Sequence, residues 1–151
     1  MRKSFLLIPA LGLFLSLQAL AHEEMNLPPG PIKDRHELME GIGANAKKIG
    51  EALKAHDTKP IPAAADAIAA DADKIPGLFP EGSTSDKSRA KPEIWKDFPK
   101  FKQGAADLAE HATALAAAAK SGGDAAAAAK TMFGDCKACH DDFRKPEEKK
   151  E

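Results

Sequence analysis

The chain of 151 residues has no tyrosine, a single tryptophan (Trp95) and only two cysteines. Two cysteines three positions apart cannot build the disulfide framework on which small secreted domains rely, so the fold has to come from elsewhere. Charge of either sign is not in excess. There are 22 basic and 23 acidic residues, a formal net charge of −1, and no basic patch interleaved with aromatics, which argues against nucleic acid as a partner. No segment alternates apolar and polar residues as a half-buried strand does, so a sheet has no sequence support. No acid–base pair or nucleophile constellation stands out, and an enzyme active site is therefore not expected.

The amino terminus reads as an export signal. Arg2 and Lys3 form a basic start, Phe5 to Leu20 is mostly apolar, and Ala19-Leu20-Ala21 is a small-x-small cleavage site. Residues 1–21 are accordingly expected to be a signal peptide, with the mature chain starting at His22. Read instead as a membrane anchor, the segment is short for a span of about 20 residues, and Pro9 and Gly12 weaken it. The implied location is the bacterial periplasm, with no membrane contact after the signal is removed.

The most informative run is Cys136-Lys137-Ala138-Cys139-His140. It spells C-x-x-C-H, the attachment signature of a c-type haem. Each thiol adds to a vinyl group and becomes a thioether, and the histidine supplies an imidazole to the iron. On a helix, positions 136, 139 and 140 share one face, so one macrocycle can be stapled twice and ligated once. The competing readings of C-x-x-C are a thioredoxin-like redox pair, half of a zinc site and a structural disulfide. The first wants alternating strands and helices, the second a further ligand pair, and the third closes too short a loop to constrain much chain. Export and haem attachment belong together, since such apoproteins receive haem outside the cytoplasmic membrane.

Four amphipathic helical stretches follow from periodicity. The first runs from about Pro31 to His56, with a seam of Arg35, Met39, Ile42, Ala46, Ile49 and Leu53. The second runs from about Lys59 to Lys74, seamed by Ile61, Ala65, Ile68, Ala72 and Ile75, and ends at Pro76-Gly77. A loop from Leu78 to Lys91 follows, with Leu78 and Phe79 as its expected buried anchors. The third stretch, from about Pro92 to Ser121, carries Ile94, Phe98, Phe101, Ala105, Leu108, Ala112, Leu115 and Ala119. Pro99 should kink it or split it. The fourth runs from about Asp124, a plausible N-cap, to Lys145, with Ala129, Met132, Phe133, Cys136, Cys139, His140 and Phe143 on its inner face. The expected fold is all-α, an antiparallel up-down-up-down four-helix bundle with haem on the last helix. Residues 22–145 form that bundle, and 146–151 a charged tail. Its core is alanine-rich and thin, so a buried haem would supply much of the apolar surface.

With this pattern the chain resembles the cytochrome c-prime and cytochrome c-556 family, the class II c-type cytochromes. The haem motif sits close to the carboxyl end, and Cys136 to Arg144 is similar to the family's closing motif. Asp34 to Gly43 resembles its opening helix, Ile75 to Pro80 its middle loop, and Lys91 to Trp95 its third-helix start. The resemblance implies one covalently attached haem c, with His140 as proximal ligand. It also implies that the distal position faces the first helix, where Met39 stands and a thioether can bind iron. The plain alternative for Met39 is a gap-filling core side chain.

Arg35, one turn before Met39, needs a partner for its charge. A haem propionate would serve, bound bidentately, unless the stem snorkels to water. Arg144, four residues after His140, is expected at the proximal pocket or as an exposed last-turn arginine. The expected function is electron transfer with His140/Met39 ligation, exchanging electrons with periplasmic redox proteins. The alternative is a five-coordinate high-spin iron that binds NO or CO. Either a monomer or a homodimer fits the sequence.

Overall fold

The computed structural model describes residues 27–146. The expected signal peptide, His22, Met25 and the tail beyond Pro146 lie outside the described residues. Five α-helices are present among them, α1 (Pro31–Lys54), α2 (Ile61–Ala72), α3 (Glu93–Lys96), α4 (Phe98–Ser121) and α5 (Ala125–Phe143), with a single 3-10 turn at Pro76–Leu78. Four are long and form the expected four-helix bundle. The β-structure described amounts to one isolated antiparallel bridge between Ala90 and Arg144.

Local chemistry sets the boundaries. Asp124 caps α5, its carboxylate accepting a bond from the Ala127 amide at 2.9 Å. Gly122, at φ +73°, closes α4 in the left-handed conformation that a side chain would oppose. The third stretch splits where proline demanded, but one turn earlier than a mid-helix kink would fall. Asp97 leaves helical geometry (φ −131°, ψ 58°) and caps α4 by accepting from the Lys100 amide at 3.2 Å. Pro99 thereby lies in the first turn of α4, where its missing N–H breaks no ladder.

The seams point inward as the periodicity requires. Ile61, Ala65, Ile68, Ala72 and Ile75 of the second stretch are all buried, as are Phe101, Ala105, Leu108, Ala112 and Leu115 of α4. On α1 the deepest apolar positions are Ile42, Ile49 and Ala52, while Met39, Ala46 and Leu53 are half-buried. Helix α2 packs on both α1 and α4, and α4 packs on α5, whereas α1 and α5 barely touch. The gap between α1 and α5 is what positions the site.

At the closed end of the bundle, rings replace methyl groups. Phe79 meets Phe101 edge-on at 4.8 Å between centroids, and Phe143 meets Phe101 at 5.3 Å. The loop before α3 is tied to the end of α5 by backbone bonds. The Lys91 amide donates to the Phe143 carbonyl at 2.9 Å, and the Lys145 amide to the Arg89 carbonyl at 2.7 Å. Among the described residues no helix is long and apolar enough to cross a membrane.

Leu115 is fully buried in the carboxyl-terminal half of α4, in a core rich in alanine. Leu115→Ala should lower stability by about 2–5 kcal/mol, read from urea unfolding midpoints at unchanged slope. A change below about 0.5 kcal/mol would mean that the core is not packed around this seam.

Candidate functional site

The last two turns of α5 carry Cys136, Cys139 and His140 on one face, and that face looks into the gap left by α1. A narrow cavity of about 40 Å³ lies there. Met39, Ile42 and Ile75 form one wall, and Cys136, Cys139 and His140 the other; Gly104, Ala105 and Leu108 of α4 and Asp135 complete the lining. A wider groove of about 300 Å³ opens between α4 and α5, bordered by Lys100, Gln103, Asp107 and Asp142. Gly104, Asp135 and Cys139 line both, so the two are lobes of one opening.

Both thiols are half-buried and not bonded to each other. Burial raises the pKa of Cys136, helped by the adjacent Asp135 carboxylate. Cys139 is pushed up to about 11, by burial first and then by the Cys136 and Asp142 charges. Both sulfurs therefore carry their protons at neutral pH, which disfavours thiolate redox or metal chemistry here. His140 moves the other way: crowding around the ring, then Arg144 and Arg89, lower its pKa. Its imidazole is neutral and has a lone pair to give to a metal. No group of three or more His, Cys, Asp or Glu suited to a bare metal ion occurs among the described residues. Two protonated thiols and one neutral imidazole around an apolar slot fit a covalently held porphyrin. Gly104 fits it too, since a Cβ there would stand 4.0 Å from the Cys139 Cβ and narrow the opening at the attachment point.

The structure thus brings Met39, Cys136, Cys139 and His140 to one cavity and leaves Arg35 outside its lining. Arg35 is 5% exposed, and its guanidinium serves the middle loop. It donates to Ser83 Oγ at 2.8 Å, the Ser83 carbonyl at 2.7 Å and Ser88 Oγ at 2.7 Å, and it lies 4.6 Å from the centre of the Phe79 ring. The head is buried, so the stem does not snorkel to water. The reason is the loop itself, whose serines and carbonyls supply the acceptors that the helix-seam position lacks. Arg144 is exposed, one turn past His140, and acts on that ring through its charge. Sequence reasoning missed Asp135 and Gly104. A glycine one residue from the α4 seam was a usable signal, since glycine inside a helix costs about 1 kcal/mol and calls for a packing reason.

Known proteins share this arrangement. The family model described as Cytochrome C' matches residues 30–144. The chain belongs to the cytochrome c' family. It is 37% identical over 122 residues to cytochrome c' of Rhodospirillum rubrum, covering 78% of this chain and 83% of that protein. It is 34% identical over 119 residues to cytochrome c-556 of Agrobacterium tumefaciens, covering 76% and 97%. The crystal structure of cytochrome c' from Thermochromatium tepidum superposes with a TM-score of 0.72 at 31% identity, over 77% of this chain and 95% of that one. A nitric oxide complex of a variant cytochrome c' from Alcaligenes xylosoxidans superposes with a TM-score of 0.68 at 26% identity, over 77% and 94%. The family is one of covalently attached haem c, so this is a c-type haem cytochrome.

Arg35 holds the loop through charge-assisted bonds in a buried setting. Arg35→Ala should destabilise the protein by at least about 2 kcal/mol. It should also red-shift the emission of Trp95, whose Nε1 donates to the Phe79 and Pro80 carbonyls at 3.1 and 3.0 Å beside that loop. Unchanged stability and emission would show that the loop stands without it.

Proposed function

We propose that Cys136 and Cys139 hold one haem c in this slot, that His140 is its proximal ligand, and that the sixth position is left open behind Met39. The observation that carries this is the lining of the cavity, almost wholly apolar, in which Cys136, Cys139 and His140 come together with Met39, Ile42 and Ile75. Haem c supplies a one-electron iron centre and, at an open sixth position, a place for NO or CO. The chain's own work is to select what reaches it. The apolar wall disfavours water and anions and admits neutral diatomics. Similarity to cytochromes c', one of them solved as a nitric oxide complex, supports the open position over His140/Met39 ligation. Arg144 adds positive charge beside His140, and Arg35 keeps the middle loop against α1. The export signature supports a periplasmic location.

One observation favours a second reading. Met39 lines the same cavity as His140, and cytochrome c-556 is among the relatives. A Met39 sulfur bound to the iron would make the protein a six-coordinate electron carrier serving periplasmic redox partners.

The purified holoprotein's optical spectrum separates them. The open-site reading expects broad high-spin bands that change on adding CO to the ferrous form, with CO binding faster in Met39→Ala, where the wall is cut back. Sharp low-spin ferric bands that turn high-spin in Met39→Leu would replace it with methionine ligation.

A further inference from the structure

Among the described residues, the narrow apolar cavity is lined by one carboxylate, Asp135, and it is not left alone. His111 reaches across from α4, its Nδ1 lying 2.7 Å from Asp135 Oδ2. The Asp135 side chain is 19% exposed and that of His111 is 36% exposed. One end of the pair therefore borders the haem slot while the other reaches bulk water. Asp135 also precedes Cys136, the first attachment point.

We propose that His111 and Asp135 form a redox-linked proton site at the edge of the haem pocket, with the ligand a proton drawn from solvent. This rests on haem c being held by Cys136, Cys139 and His140 as described above. An isolated carboxylate beside an apolar slot favours the more positive, ferric iron. A protonated His111 cancels that carboxylate and removes the bias. By reciprocity, the ferric centre repels the proton on His111, and reduction by a one-electron donor lets it bind more tightly. The balance is one electron to the iron, coupled to uptake of up to one proton at the imidazole. No bond to the haem forms or breaks.

The surroundings leave this titration to His111. Its pKa is raised, chiefly by the Asp135 bond, which outweighs the opposing effect of burial, with smaller contributions from the Asp135, Glu110 and Asp107 charges. The acids of α2, Asp66 and Asp71, pair instead with Lys120 and Lys74. On α5, Asp142 pairs with Lys100, and Asp141 with Lys137. Glu93 and Lys96 of α3 pair with each other. A raised pKa means that the paired, protonated form holds below it and is lost as pH rises through it.

The test is a pair of measurements on the holoprotein. NMR titration of the His111 ring, assigned by its contacts with α5, should show proton affinity roughly twofold to tenfold higher in the ferrous than in the ferric state, the order expected for a unit charge acting near a protein surface. The midpoint potential should fall with rising pH across that same window, and the fall should vanish in His111→Gln. Identical ferric and ferrous titrations, or an unaltered potential profile in the variant, would overturn the proposal. If His111→Gln does not fold, the titration of the unaltered protein decides alone. Failure of the haem assignment looks different, since no redox wave would then be recorded at any pH.

Discussion

Everything in this molecule depends on a face of α5 that must meet a partner no helix provides. Cys136, Cys139 and His140 project toward α1, yet α1 and α5 scarcely touch. In a bundle with no foreign group, such a gap would close, because apolar surface left against a void loses dispersion contacts and hydrophobic gain together. Here the gap is kept by α2 and α4, which hold the outer helices apart through their own packing. The thin, alanine-rich interior is compatible with this arrangement. Small side chains bring α4 close to both α2 and α5.

The two ends of α5 are stabilised by different means. At the amino-terminal end of α5, the Asp124 cap fixes where the helix starts, and so which face carries the thiols. At the carboxyl end, the antiparallel contact of residues 89–91 with residues 143–145 stops α5 from fraying just beyond His140. The same contact brings Arg89 near the imidazole, where burial first, then Arg144 and Arg89, favour the neutral form. A loop that reads as mere connection thus acts on the His140 ring through the charge of Arg89.

Much of this was legible in the sequence. The C-x-x-C-H run, the four seams and the proline near the start of the third stretch each map onto a physical feature of the fold. Seam position put Met39 on the inner face of α1, but its place at the cavity came from the family resemblance, since position alone fits a core methionine equally. The loop partners of Arg35 could not be read, because they are serines some fifty residues away in a loop without periodicity. The burial of a charge on a seam is visible in sequence; the identity of what satisfies it is not. Asp135 and His111 were opaque for a related reason. One sat beside a conspicuous motif and the other on a helix surface, and only the packing of α4 on α5 joins them. Pro99 shows the limit of boundary reading: its effect was foreseen, but Asp97 decided where the helix restarted.

The central claim is that a macrocycle is covalently fixed to α5 by both thiols. Denaturing mass spectrometry of the protein matured in a host with haem-attachment machinery tests it most directly. The account predicts the mass of the chain plus one haem, retained through acid extraction and reduced to noncovalent, extractable haem when Cys136 and Cys139 are both replaced by alanine. An unmodified chain mass from a folded, matured protein would contradict it.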